Sequence, residues 1–249
     1  MDRLIYVGMT AAKHTMAQLN STSQNLSNLK TTGFKADIHM FSAIPAYGPG
    51  NPTREYVVNS TVGSDFSPGM ITQTGNPLDL AISGPGWFTV KLPDGNEAYT
   101  RAGGFKLDSN GVLRTSSGLP VVGASGAPIT IPPNTEVTVG RDGTITTVPS
   151  QMTLPYAVSI IGQLKLVNPP ESNLVKGADN LFRTKNGVPA DPAANVNVLS
   201  GSLESSNADM INCMLNMIDL GRDFDMQMKL LQTADSDASH ASVLLNINA

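Results

Sequence analysis

The sequence predicts a mainly β body with a discontinuous α-helical coiled-coil domain formed by the N- and C-terminal helices. Apolar residues recur at alternating steps of three and four near both ends of the chain. Between these ends, short alternating runs are separated by turns that contain Gly and Asn, and no helical period interrupts them. Heptads at both ends indicate that the two terminal helices pair with each other beside the β body.

The first apolar stripe begins at Ile5 and has the a/d period of a helix that packs on another helix. Its members are Ile5, Met9, Ala12, Met16, Leu19, Ser23 and Leu26. No charged residue occurs from Thr15 to Leu29, and Ser and Asn, which form helices weakly, are frequent there. We therefore expect a helix that is marginal alone and orders among neighbouring copies. Gly33 is placed as its left-handed cap.

The middle of the chain contains several predicted hairpins. The segment FTVKLPDGNEAYTR has two alternating runs around a Pro-Asp-Gly-Asn turn. The segments GFKLDSNGVLRT and EVTVGRDGTITTV repeat this pattern around Gly111 and Gly143, and QLKLVN and NLFRT are typical of later strands. These runs predict an all-β body.

The second stripe is longer and lies near the C-terminus. Its members are Met214, Met217, Gly221, Phe224, Met228, Leu231, Asp235, Ala238, Ser242 and Leu245. Together with the first stripe it predicts three domains. Residues 1–30 and 208–249 would form the helical assembly core, 31–74 and 200–207 an extended connector, and 75–199 the all-β outer domain.

Charge and hydropathy exclude two classes of partner. The chain has 16 basic and 20 acidic residues, a net charge of −4, and no basic cluster, which argues against nucleic acid. No apolar window is long enough to predict membrane insertion. The N-terminal segment MDRLIYVGMTAAKHT lacks the pattern of a cleavable signal peptide. We therefore expect any export to use another route.

The sequence contains no recognisable catalytic constellation. Its three histidines, His14, His39 and His240, lie in separate zones. The segment at Asp108 begins like a calcium loop but has Leu119 where the bidentate Glu is needed. Cys213 is the single cysteine, so no internal disulfide forms, and its place beside the stripe indicates helix packing. We expect no enzyme activity, no cofactor and no metal.

Five ordered segments carry a resemblance that covers nearly the whole chain. They are NLSNLKTTGFK (25–35), GNPLDLAISGPGWFTV (75–90), YTRAGGFKLDSNGVLRTSSGLPVVG (99–123), GSLESSNAD (201–209) and RDFDMQMKLLQTAD (222–235). In this order they resemble the rod and hook proteins of the bacterial flagellum. The modest length and the short segment after Lys35 are most similar to the proximal rod branch, with the distal rod branch as the alternative.

The resemblance implies a structural subunit that the flagellar type III apparatus exports without cleavage. In the periplasm it would assemble with itself and with proximal and distal rod subunits into the tubular shaft that links motor to hook. The implied assembly residues are Ile5, Met9, Met16, Leu19, Asn25, Leu26, Asn28, Gly33, Phe34, Met214, Met217, Phe224, Met228, Leu231 and Leu245.

Two other classes stay open on the sequence alone. A secreted carbohydrate-binding β domain would need an exposed aromatic platform, and Trp87 is the only tryptophan. The alternation around Trp87 favours a core position instead. A phage-tail-like tube would share the assembly mechanism but not the location.

Overall fold

The computed structural model describes the backbone of residues 2–45, 55–149 and 158–246, and the side chains of 5–40, 63–149 and 158–243. The chain folds into two compact units. The terminal unit comprises Met1–Leu29, Ala36–Asp65 and Ala208–Ala249, and the β unit comprises Lys30–Lys35 and Phe66–Asn207. The part of the predicted connector at 46–54, the part of the predicted β domain at 150–157 and the side chain of Leu245 lie outside the described residues.

The terminal unit contains two helices and a β-hairpin. Its elements are α1 (Asp2–Ser27), β1 (Asp37–Pro45), β2 (Glu55–Ser64) and α2 (Met210–Asn246). The strands pair antiparallel with a bulge between Met40 and Phe41, and α1 packs against both strands and α2. The unit is therefore a helix pair joined to a hairpin, and the hairpin was not predicted.

Local hydrogen bonds satisfy polar side chains of α1 and cap the start of α2. The hydroxyls of Thr10 and Ser27 donate to the carbonyls of Tyr6 and Ser23, one turn earlier in α1. In α2 the carboxylate of Asp209 accepts the backbone N–H of Ile211 at 2.9 Å, which caps the helix start.

The predicted coiled coil is wrong, although the β-rich body is confirmed. Four methionines of the predicted seam are exposed, namely Met9 (54%), Met16 (52%), Met214 (47%) and Met228 (39%). The buried positions are instead small or polar, namely Gly8, Ala12, Thr15, Asn25, Cys213 and Ala234. Gly8, Thr15 and Cys213 each directly precede a predicted methionine, and Ala12 is itself a member of the predicted stripe. A coiled coil requires large apolar side chains in that seam.

The β unit is built from short antiparallel strands. They are β3 (Ile71–Gln73), β4 (Leu80–Ser83), β5 (Trp87–Lys91), β6 (Glu97–Thr100), β7 (Phe105–Leu107), β8 (Leu113–Thr115), β9 (Thr135–Val139), β10 (Thr144–Pro149), β11 (Ser159–Gln163), β12 (Leu166–Val167), β13 (Leu174–Lys176), β14 (Phe182–Thr184), β15 (Asn197–Ser200) and β16 (Ser202–Glu204). The larger sheets have the orders β12-β5-β6-β14-β13 and β11-β10-β9, and the remaining pairs are β15-β4, β16-β3 and β7-β8. A short 3₁₀ helix, Glu171–Asn173, precedes β13.

The three predicted hairpins are confirmed as β5–β6, β7–β8 and β9–β10. Their inward residues fill one apolar core that includes Phe88, Phe105, Leu113 and Ile145. Trp87 belongs to a second buried cluster, where its ring centroid lies 4.5 Å from that of Phe182. The β unit thus has its own core.

Candidate functional site

The two helices carry large apolar side chains that remain exposed. On α1 they are Tyr6, Met9 and Met16, and on α2 they are Met210, Ile211, Met214, Leu215, Ile218, Met226, Met228, Leu230 and Val243. We call this set the apolar helix surface. Ile211, for example, is 66% exposed. Exposed apolar residues on a protein surface are usually scattered singly, whereas here many occur on the same two helices. An apolar surface of this extent indicates that another macromolecule packs on it.

An apolar groove of about 250 Å³ lies between α1 and α2 and adjoins this surface. It is lined by Thr15, Met16, Leu19, Leu220, Gly221, Phe224 and Asp225. A Cβ atom at Gly221 would meet no heavy atom within 4 Å, whereas one at Gly8 would lie 3.0 Å from Leu231 Cδ2. The helices therefore approach closely at Gly8 and leave space at Gly221.

The end of α1 is fixed to the hairpin of the same chain. Asn25 donates from Nδ2 to the carbonyl of Asp37 at 3.0 Å, and the N–H of Asp37 donates to Asn25 Oδ1 at 2.9 Å. Asn25 is buried, and these two bonds satisfy the Nδ2 and Oδ1 groups of its side-chain amide within the protein. Asn28, just past the end of α1, instead donates from Nδ2 to the carbonyl of Gln24 in that helix. Asn25 is therefore a positioning residue within the terminal unit.

Cys213 lines a polar cavity of about 420 Å³, together with Asn25, Asp37 and His39 among others. Burial raises the pKa of the Cys213 thiol, and the nearby carboxylate of Asp209 raises that pKa further. The part of the chain that the structure describes contains no group of three or more His, Cys, Asp and Glu able to hold a metal ion. Cys213 is thus a poorly ionised packing residue.

A buried ion cluster lies in the β unit where residues from three distant segments meet. Lys35 Nζ lies 2.7 Å from Glu204 Oε1, and Arg101 Nη1 lies 3.1 Å from Glu204 Oε2. Lys35 also donates to the carbonyl of Ser67 at 2.7 Å, and the N–H of Gly69 donates to Glu204 Oε1. Because these charges are buried, the loss of a partner or of good hydrogen-bond geometry would cost more free energy than it would at the surface.

Arg101 anchors this cluster to the sheet. Its Nη2 atom donates to the carbonyl of Gly84 at 2.7 Å, and its guanidinium lies 5.4 Å from the Trp87 ring centroid. Burial lowers the pKa of Arg101, while the charge of Glu204 acts in the opposite direction. Glu204 thus compensates a cation that is only 5% exposed.

Gly33 and Phe34 belong to the β unit and lie beside this cluster. Gly33 has a φ of 65°, as a left-handed position requires, but α1 ends at Ser27 and the N–H of Gly33 donates to the carbonyl of Glu204. The predicted helix cap is therefore wrong. Lys176 Nζ lies 3.9 Å from the Phe34 ring centroid and donates to the carbonyl of Lys35 at 2.7 Å.

The other predicted assembly residues lie on α1 and α2 or, like Asn28, just past the end of α1. Of these, the exposed ones are Met9, Met16, Met214 and Met228. The partly covered ones are Ile5, Leu19, Leu26, Asn28, Met217, Phe224 and Leu231. Residues between the stripes, such as Ile218 and Met226, were missed because the heptad pattern assigns them to a polar face.

The ion cluster was also missed, although a signal for it existed. Lys35, Arg101 and Glu204 each lie in one of the sequence segments on which the resemblance depended.

Neither of the described helices is long and apolar enough to cross a membrane.

Two protein-family models and several full-length relatives match this chain. Residues 81–147 match the flagellar hook protein FlgE/F/G D1 domain, and residues 199–242 match the flagellar basal body rod FlgEFG protein C-terminal family. The chain is 39% identical to the flagellar basal-body rod protein FlgF of Escherichia coli (strain K12) over 100% of both chains. It is 37% identical to FlgF of Salmonella typhimurium, again over 100% of both.

A flagellar basal-body rod protein FlgG, from Buchnera aphidicola subsp. Schizaphis graminum, is 32% identical over 93% of this chain and 95% of its own length. The resemblance drawn from the sequence segments is confirmed by these matches. The chain therefore belongs to the flagellar basal-body rod protein family, within which it resembles FlgF.

Proposed function

We propose that this chain is a structural subunit of the flagellar basal-body rod and that it occupies the proximal part of the rod. The observation that carries the proposal is the apolar helix surface, found in a chain that matches proteins named FlgF over its full length. Such a surface is unfavourable in water and is stabilised when neighbouring subunits cover it.

The partners proposed for this surface are other copies of the chain and other rod subunits, proximal and distal. Segments 1–30 and 208–249 form the assembly core in this proposal, and segments 31–74 and 200–207 connect it to an outer domain at 75–199. Polar side chains of α1, such as Ser23 and Gln24, are exposed and uncharged. They can therefore meet neighbours without leaving an unpaired buried charge.

The proposed route to this site is the flagellar type III export apparatus. Assembly then takes place in the periplasm and extends the shaft that links motor to hook. The low charge and weak helix propensity of residues 15–29 support this route because a chain must be unfolded to pass a narrow channel. The proposed role is structural and not enzymatic.

The distal rod is the second candidate because proteins named FlgG also match over most of the chain. The carbohydrate-binding alternative has lost its main support, since Trp87 is 4% exposed and packs against Phe66 and Phe182.

Deletion of the gene and complementation test the proposal. Basal bodies isolated from the complemented strain should contain the chain by mass spectrometry, and the deletion strain should not swim. Rods that end before the distal segment would support the proximal assignment, whereas rods that lack only their outer end would favour the distal one. A deletion strain that swims normally would contradict both.

A further inference from the structure

We infer that Lys35, Arg101 and Glu204 are positioning residues that hold in register the segments at which the chain enters and leaves the β unit. This inference rests on the proposed rod function, and it assigns to three residues a role that the apolar helix surface does not explain. We call them, together with the hydrogen-bonded Gly33, Ser67 and Asn207, the junction clasp.

The first step is where the chain passes between the units. It crosses four times, after Leu29, Lys35, Asp65 and Asn207. All force transmitted along the backbone between the units must pass through these four points. The residues that hold the neighbouring β-unit segments in place therefore determine how force enters the β unit.

The second step is that the clasp bonds these segments to one another. Lys35 donates to Glu204 and to the carbonyl of Ser67. Asn207 donates from its backbone N–H to the carbonyl of Phe34 and from Nδ2 to the carbonyl of Ser67. Each bond lies within a few residues of a crossing, so the segments next to the crossings are bonded directly to one another.

The third step is that no side chain separates the first segment from the sheet. A Cβ atom at Gly33 would lie 2.2 Å from the carbonyl carbon of Arg101, which places Gly33 directly on the Arg101 backbone. The N–H of Gly33 donates to the carbonyl of Glu204 at 2.8 Å. The segment is therefore held by backbone contact on one side and by hydrogen bonds on the other.

The fourth step concerns why charged side chains, and not apolar ones, occupy this buried position. A buried ion cluster is weak evidence for stability because apolar residues of similar volume often stabilise a core equally well. Apolar contacts are non-directional, however, and allow segments to slide, whereas charge-assisted hydrogen bonds fix atoms in register. Register between the three segments is what the transmission of torque requires.

The chain offers a matched control for this inference. Lys165 Nζ bonds to both carboxylate oxygens of Glu97 at 2.8 Å, and this largely buried pair joins residues of the β unit away from the crossings. Lys35→Met and Lys165→Met each remove one ammonium from such a pair. If Lys35 only stabilised the fold, the two changes could differ in Tm, but they would have similar effects on exchange at the crossings and on swimming under load.

The first measurement is amide hydrogen exchange in the purified full-length chain. In Lys35→Met the amides of Gly33, Gly69 and Asn207 should exchange at least about tenfold faster than in the wild type, while core amides of β5 stay protected. In Lys165→Met those three amides should be unchanged. Equal exchange in both variants would overturn the inference.

The second measurement is swimming speed in media of increasing viscosity, in complemented cells whose basal bodies contain each variant. Speed should fall more steeply with viscosity for Lys35→Met than for Lys165→Met. If Lys35→Met does not fold, Asn207→Ala replaces it, since it removes the exposed side-chain bonds from Asn207 Nδ2 to Ser67. Equal dependence of swimming speed on viscosity in the two variants would overturn the role of the junction clasp but not the proposed rod function. Absence of the wild-type chain from basal bodies would overturn the proposed function, and with it the mechanical role.

Discussion

Asn25 at the end of α1 and Asp37 at the start of β1 exchange two hydrogen bonds, of 3.0 and 2.9 Å, across a gap of twelve residues. Both backbone groups of Asp37 are thereby satisfied by one side chain. This pair fixes the hairpin to the helix within the terminal unit, and it gives the buried Asn25 a structural role inside its own chain.

Replacing Asn25 with Ala should destabilise the terminal unit by roughly 1–3 kcal/mol, because it leaves the N–H and carbonyl of Asp37 without their partner. The higher helix propensity of Ala offsets only about 0.5 kcal/mol of this loss. Urea denaturation followed by helical circular dichroism measures the change. Asn28→Ala is the control and should change the free energy of unfolding by less than about 0.5 kcal/mol. Equal effects of both changes would show that the Asp37 bonds are unimportant.

Ile218→Asp should leave the isolated chain folded but prevent its incorporation into rods. Ile218 is 53% exposed, so the free energy of unfolding should change by less than about 0.5 kcal/mol, yet the buried interface would contain an unpaired charge. Immunoblots of isolated basal bodies measure incorporation. Ser236→Asp, at an exposed polar position of the same helix, should incorporate normally. Normal incorporation of Ile218→Asp would remove the apolar helix surface from the interface.

Gly33→Ala should destabilise the β unit by more than about 4 kcal/mol, which is exceptional for one methyl group. The added Cβ would collide with the Arg101 backbone, and φ is 65°. Gly187→Ala is a matched control because Gly187 has a φ of 67° but nothing within 4 Å of the added atom. It should cost only about 1–2 kcal/mol. Denaturation monitored by Trp87 fluorescence compares them, and similar costs would mean that Gly33 does not lie against Arg101.

Cys213 should react slowly with thiol reagents in the folded chain. Its pKa is raised by burial and then by the nearby Asp209 carboxylate, so the reactive thiolate is disfavoured relative to an exposed cysteine. Reaction with a chromogenic disulfide should accelerate strongly in urea, where the thiol becomes exposed and its pKa falls. The same fast rate in the presence and absence of urea would show that Cys213 is exposed in the native state.

The hairpins were predictable because their signals are local. Gly111 and Gly143 supply the left-handed turn residues that their hairpins need, with φ of 75° and 79°. The pairing of alternating runs around such turns does not depend on distant parts of the chain. The strand pair β1–β2 was not identified, since the segment between its strands is rich in Gly and Pro and looks like a connector.

The covered face of the helices was not predictable from the heptads. Met9 and Met214 continue the apolar period, yet Gly8 and Cys213 beside them are the residues that the unit buries. Both faces carry apolar residues, and the small residues are selected because they let the helices approach closely, as at Gly8 and Leu231. Periodicity identifies a helix, but here only the tertiary partners determine its buried side.

The junction clasp was missed for a different reason. Lys35 and Glu204 are 169 residues apart, and neither forms a local pattern with its neighbours. Their charges were visible, but no rule of spacing brings together residues from such distant segments. The fold alone makes Glu204 the shared partner of Lys35 and Arg101.

Cryo-electron microscopy of basal bodies isolated from the complemented strain tests the central claim most directly. The account predicts density for this chain within the rod, with Met214 and Ile218 covered by helices of neighbouring subunits. A rod without this chain, or a rod in which these side chains face solvent, would contradict it.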